Sequence, residues 1–179
     1  MSVEKLIGKS VLLTEYQTTF CILEADRRRH RINFFDKKEF KLQKGTVAHL
    51  EFFQIHPLLL NFNESINSTY INSPPANVDI FVEDIKNAIC EATLGWRHWT
   101  NYIEIKSINF KEDNFLQNVR NGSGILANAP LSISRKIIEV CERHKVSTTT
   151  LGEESSTENF KLLIIGNSYV IAREFKLKS

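Results

Sequence analysis

Ser73-Pro74-Pro75-Ala76-Asn77 constrains this chain more than any other stretch. Proline gives no N–H to a ladder and fixes its own φ, so strands stop there, while Ser or Asn can accept the free N–H groups of a helix's first turn. Residues 78–95 fit that opening. Val78, Phe81, Val82, Ile85, Ala88, Ile89 and Ala92 recur at i, i+3 and i+4 spacing, Asp79, Glu83, Asp84, Lys86 and Glu91 fall on the other side, and Gly95 supplies a stop. The pattern predicts a helix over 77–94 with one apolar face, and that face needs a partner surface to bury it.

Strands are expected before it. Residues 11–16 and 20–25 are rich in β-branched and aromatic groups, 31–35 and 39–42 flank Asp36-Lys37-Lys38, and a longer strand spans 46–55. That strand carries apolar groups on both parities, as a strand covered on two faces does. His56-Pro57 interrupts it, so 58–62 should be a new or edge segment, with one more short strand over 69–72.

After the helix, 102–110 alternates as a strand and 112–119 fits a short helix ending at Asn121-Gly122. Ile133, Ile137, Val140, Cys141 and His144 make one stripe, predicting a helix over 132–145 started by Ser132 or Ser134. The tail is a hairpin: 160–165 and 168–175 flank Gly166-Asn167, both of which tolerate positive φ.

The resulting expectation is a single α+β domain over 1–179, with a mostly antiparallel sheet, an N-terminal β-meander of about five strands, two main helices and a C-terminal β-hairpin. A two-lobe variant would split near 73–77. At 179 residues the chain can bury roughly 70% of its extended surface, enough for a core without metals or disulfides. Apolar runs such as Leu58-Leu59-Leu60 fall far short of the ~20 residues of a membrane helix, and 1–10 lacks an apolar secretory region. A soluble, cytoplasmic protein without membrane contact is therefore expected. Cys21, Cys90 and Cys141 are widely spaced, so buried free thiols are expected rather than bridges or a zinc site.

Two clusters stand out as binding candidates. Arg27, Arg28, Arg29 and Arg31, with His30 among them, sit between two expected strands, where guanidinium forks can reach phosphates or carboxylates. The bland reading is a solvated turn. Trp96, Arg97, His98, Trp99 and Tyr102 gather both tryptophans behind the helix, and Trp, Tyr and Arg dominate interface hot spots. The bland reading there is that indoles pack the helix onto the sheet. Charge says less: residues 1–50 carry ten Lys and Arg against six Asp and Glu, but the whole chain is only +2, short of a dedicated nucleic-acid binder.

Catalytic and metal patterns are not found. The five histidines show no metal spacing, the Gly122-Ser123-Gly124 turn lacks the Lys-Ser/Thr of a phosphate loop, and no nucleophile stands beside a local base. No cofactor is expected. The leading expectation is a non-catalytic intracellular protein-interaction or inhibitor-type module, with another protein as partner. One alternative is nucleic-acid binding through the basic hairpin 27–31. Another is an enzyme or small-ligand binder whose site assembles in space from His49, Glu51, His56 and Trp96, Arg97, His98 and Trp99.

Overall fold

The structure, a computed structural model, describes residues 8–13, 19–24, 29–41, 50–103, 114–152 and 158–178. Strands β1 (Gly8–Leu13), β2 (Thr19–Glu24), β3 (Arg29–Lys41) and β4 (Leu50–Phe53) come first. A 3-10 turn (Pro57–Leu59), the short helix α1 (Leu60–Asn63) and β5 (Ile66–Ile71) lead to α2 (Val78–Thr93), a second 3-10 turn (Trp99–Asn101) and α3 (Asn114–Asn121). The chain continues through β6 (Gly124–Pro130), α4 (Leu131–Arg143), β7 (Thr148–Leu151), β8 (Lys161–Ile165) and β9 (Ser168–Lys178). With helices and two antiparallel sheets, the fold is α+β. No helix among the described residues is long and apolar enough to cross a membrane.

The chain divides into two compact units, Met1–Leu59 with Asn159–Ser179, and Leu60–Glu158. Residues 73–77 lie inside the second, between β5 and α2.

The first unit is a six-stranded sheet in the order β1-β2-β3-β9-β8-β4. The first three strands form the N-terminal meander, and the C-terminal hairpin β8–β9 inserts between β3 and β4. Its Gly166 has φ 57, the left-handed backbone that the tight connection requires. The two strands expected at 31–35 and 39–42 are one strand. Asp36, at φ 52, and a register shift between Lys37 and Glu39 absorb the turn signal as a bulge, so the ladder with β9 continues on both sides. Ile32, Phe34, Leu50, Leu163, Ile165, Val170 and Ala172 form this unit's core.

The strand expected to run to residue 55 ends at Phe53, ahead of His56-Pro57, and what Pro57 opens is helical rather than a strand. His56 explains this locally: its Nδ1 accepts the Leu58 N–H at 3.2 Å and its carbonyl accepts the Leu59 N–H at 2.9 Å, capping the 3-10 turn. Leu58 and Leu59 are thereby buried.

The second unit has a three-stranded sheet in the order β6-β5-β7. Helix α4 lies against β5 and β6, α2 packs on α4, and α3 packs on β6. The stripe read from sequence is the buried face of α2: Phe81, Val82, Ile85, Ala88 and Ile89 join Ile133, Ile137, Val140 and Cys141 of α4 in one core. Among the candidates for the cap, Asn77 does it, its Oδ1 accepting the Ile80 N–H at 3.1 Å. The start of α4 is different from expectation. Pro130 is its cap and offers no side-chain acceptor, so Glu64 reaches in from 68 residues away, accepting from the Ser132 N–H at 2.7 Å and from its hydroxyl. A carboxylate suits that position because the helix N-terminus carries partial positive charge.

Strand β5 is longer than the expected 69–72 and central. Strand β6 runs against local propensity, since Gly, Ala, Asn and Pro disfavour strands intrinsically; here Leu126, Ala127 and Ala129 are fully buried, and packing overrides propensity. Of the expected strand at 102–110, residues 104–110 lie outside the described residues, and Tyr102 and Ile103 form a turn.

Candidate functional site

Three helices of the second unit end in the same closing geometry, which makes their differences informative. In each, one N–H bonds back five residues and the preceding N–H bonds back three, around a residue in left-handed conformation. In α3 that residue is Gly122 (φ 62), with Ser123 N–H to Asn118 O at 3.1 Å and Gly122 N–H to Val119 O at 3.3 Å. In α2 it is Leu94 (φ 49), with Gly95 N–H to Cys90 O at 3.0 Å and Leu94 N–H to Glu91 O at 3.1 Å. In α4 it is Lys145 (φ 56), with Val146 N–H to Cys141 O at 2.8 Å and Lys145 N–H to Glu142 O at 3.0 Å.

Glycine is at ease there; Leu and Lys each carry strain of roughly 1–2 kcal/mol. For Lys145 the charged chain simply extends into water. Leu94 is the odd case, an apolar chain held in a strained conformation and still 73% exposed. Trp96, two residues on, is 46% exposed. Together they form an apolar knuckle at the end of α2.

A buried hydroxyl holds that knuckle. Thr93 is fully buried, with Oγ1 2.9 Å from Ile89 O, 3.3 Å from Cys90 O and 3.2 Å from Arg97 O. It has one hydrogen to share among the three, and the Arg97 carbonyl ties the far side of the turn to the helix. The Trp96 N–H closes the same turn on Thr93 O at 3.0 Å.

Trp99 and Tyr102 of the aromatic cluster turn inward, while His98 stays exposed. Trp99 packs against the core, 6.4 Å from the Phe115 ring centroid, and Lys86 Nζ lies 5.1 Å over its face. Tyr102 is only 3% exposed. His98 caps the second 3-10 turn, its Nδ1 2.7 Å from Thr100 Oγ1. Sequence points to Trp96 but misses Leu94. The signal that could have found it is that Leu94 falls outside the i, i+3, i+4 series of α2, so an apolar residue there has no core to enter.

The basic cluster lies in the first unit. Arg27 and Arg28 are outside the described residues; Arg29 and Arg31 are on β3, opposite Leu23 and Cys21 of β2. Across β3 and β9, Arg31 is opposite Lys178 and Asn33 opposite Lys176. For the assembled catalytic site, His49 is outside the described residues, Glu51 and His56 belong to the first unit, and Trp96, Arg97 and His98 belong to the second. Burial lowers the His56 pKa below its ordinary value of 6.5, with Glu51 pulling the other way, which favours the neutral ring that its capping role requires.

Among the described residues, no three His, Cys, Asp or Glu side chains come together as metal ligands. Cys141 is buried as expected, and burial pushes its thiol up to about 12, leaving it protonated and inert; Cys90, expected to be buried, is exposed on α2. The Gly122-Ser123-Gly124 segment is structural, with Gly122 directly beneath Pro74 and the Asn118 Nδ2 donating to Ile125 O at 2.9 Å.

No protein-family model matches this chain, no curated protein matches it, and no solved structure does.

Proposed function

We propose that this protein is a non-catalytic protein-interaction module that binds another protein through the Leu94–Trp96 knuckle, with Arg97 beside it. The observation that carries this reading is strain used for exposure: a leucine in left-handed backbone presents its side chain to solvent next to a half-exposed tryptophan. Apolar groups fixed in place lose little entropy on binding, and Trp and Arg are the residue types that anchor interfaces. Free thiols at Cys90 and Cys141 support a cytoplasmic setting.

The test is an affinity capture from native lysate at low and high salt, with and without nuclease, comparing the parent protein with Trp96→Ala and with Leu94→Gly. A partner held through high salt and nuclease but lost by both variants is the expected result. A partner retained by both would place the interface elsewhere and defeat the proposal.

A second reading has one observation behind it. The register sets Arg31 on β3 opposite Lys178 on β9, with Arg29 and Lys176 two residues away on their strands, so four basic positions gather at one end of this strand pair, where a polyanion could dock. Nucleic-acid binding by that strip should weaken steeply with salt and vanish when Arg27, Arg28, Arg29 and Arg31 are changed to Ala. Flat titrations at low ionic strength would remove it.

A further inference from the structure

Among the described residues, strand β7 is an edge strand whose outward hydrogen-bonding groups are left open. The Asn72 N–H donates to Ser147 O at 2.8 Å, which fixes the phase of the β5–β7 ladder. Tyr70 with Thr149 and Ser68 with Leu151 are then the hydrogen-bonded pairs, so Thr148 and Thr150 aim N–H and C=O away from β5. Among the described residues, no other element takes up these groups. The opposite edge is treated differently. On β6 the Asn128 N–H is met by Tyr102 O at 2.8 Å, and Ile125 O by the Asn118 side chain.

Natural edges are usually blunted by charge, proline or a bulge. Residues 146–152, Val-Ser-Thr-Thr-Thr-Leu-Gly, contain neither a charge nor a proline, and Leu151 is 59% exposed. The open groups are also self-complementary. A two-fold axis through Thr149 sets Thr148 of one copy opposite Thr150 of the other, so each outward N–H meets an outward C=O.

We propose that β7 pairs antiparallel with β7 of a second copy, joining two three-stranded sheets into one of six strands, with Thr149 on the two-fold axis. A second copy is favoured over an unrelated strand because the register closes on itself, as a two-fold interface must, and because the segment brings no charge to face its own repeat. Leu151 then lies opposite Ser147 of the second copy, under partial cover. A strand pair this short buries less than the roughly 1,200 Å² of standard interfaces, so association is weak and appears at high protein concentration. This inference uses the sheet edge and is independent of the knuckle at α2.

Sedimentation of the full chain across the micromolar range should show a dimer growing with concentration. Thr150→Pro removes one outward N–H and no bond to β5, because proline is tolerated on an edge where its nitrogen faces solvent. It should weaken the dimer by at least about tenfold, with tryptophan-monitored unfolding unchanged. Should proline perturb the fold, Thr149→Lys sets two ammonium groups across the axis from an exposed position and should have the same effect. In a Cys90→Ser background, Thr149→Cys should oxidise to a linked dimer, since axial Cα atoms about 4.5 Å apart suit a disulfide, while Thr148→Cys should not. A monomer at every concentration, a dimer indifferent to both Thr150→Pro and Thr149→Lys, or equal linking at 148 and 149 would each overturn the proposal.

Discussion

Replacing Leu94 by glycine separates a strained, exposed knob from an ordinary core residue. Releasing a non-glycine residue from left-handed backbone is worth about 1.5 kcal/mol. Against this, glycine adds about 0.5–1 kcal/mol of chain entropy to the unfolded state. Leu94 keeps only about a quarter of its surface out of water, so its lost burial amounts to roughly 0.5 kcal/mol. The net change for Leu94→Gly therefore falls between about zero and about +0.5 kcal/mol of added stability. A packed leucine would instead lose on the order of 2–5 kcal/mol.

Urea unfolding followed by tryptophan fluorescence reads the right unit, because the two tryptophans, Trp96 and Trp99, both lie in the second. Lys145→Gly is the internal control, having the same closing bonds around a residue at φ 56 and an exposed charged chain. Both variants should hold or raise the midpoint while Leu94→Gly alone loses the partner. A destabilisation beyond about 1 kcal/mol for Leu94→Gly, with Lys145→Gly neutral, would mean that Leu94 is packed rather than presented, and the reasoning would fail.

Gly122→Ala should be severe in the same assay. Its φ of 62 disfavours a side chain, and an added Cβ would come within 2.1 Å of the Pro74 nitrogen, so a loss of about 2–4 kcal/mol is expected. Glu64→Ala removes the acceptor at the start of α4 and should cost about 1 kcal/mol, seen as faster amide exchange in the first turn of that helix. For His56 the sign is fixed by its lowered folded pKa: above the unfolded value of 6.5 both states are neutral, and as pH falls through 6.5 the unfolded chain takes up the proton first, so stability drops. His56→Asn keeps a capping acceptor without titration. Urea midpoints of the first unit on either side of pH 6.5 should show a smaller acid loss in that variant than in the parent, and an equal loss would contradict the assignment.

The parts of the fold that are legible in sequence are those where local chemistry and burial agree. The face of α2, the Asn77 cap and the Gly166-Asn167 hairpin are set by spacing and turn chemistry within a few residues. The parts that are not legible are decided at a distance. Asp36-Lys37-Lys38 has the composition of a turn, yet β9 pairs along both sides of it and makes it a bulge. The residues of β6 are poor strand formers, yet β5 supplies a ladder and α4 a surface to bury them against. The acceptor for α4 is Glu64, which no window around Ser132 contains.

The candidate site divides along the same line. Trp96 is visible in sequence as one aromatic in a cluster, but whether each ring is buried depends on how the chain leaves α2, and that depends on where the left-handed backbone begins. Had it begun at Gly95, which has φ 74, the turn would carry no strain and Leu94 would have ended the helix as an ordinary last residue. Because the bonds close on Cys90 and Glu91 instead, the first left-handed residue is Leu94, and Thr93 beneath it locks the turn to Arg97. The exposure of Leu94 and Trp96 thus follows from a one-residue choice in how a helix ends. A Thr93→Val change, which keeps the shape and removes the hydroxyl, should loosen the knuckle while leaving the face of α2 packed, so partner affinity should fall further than stability does.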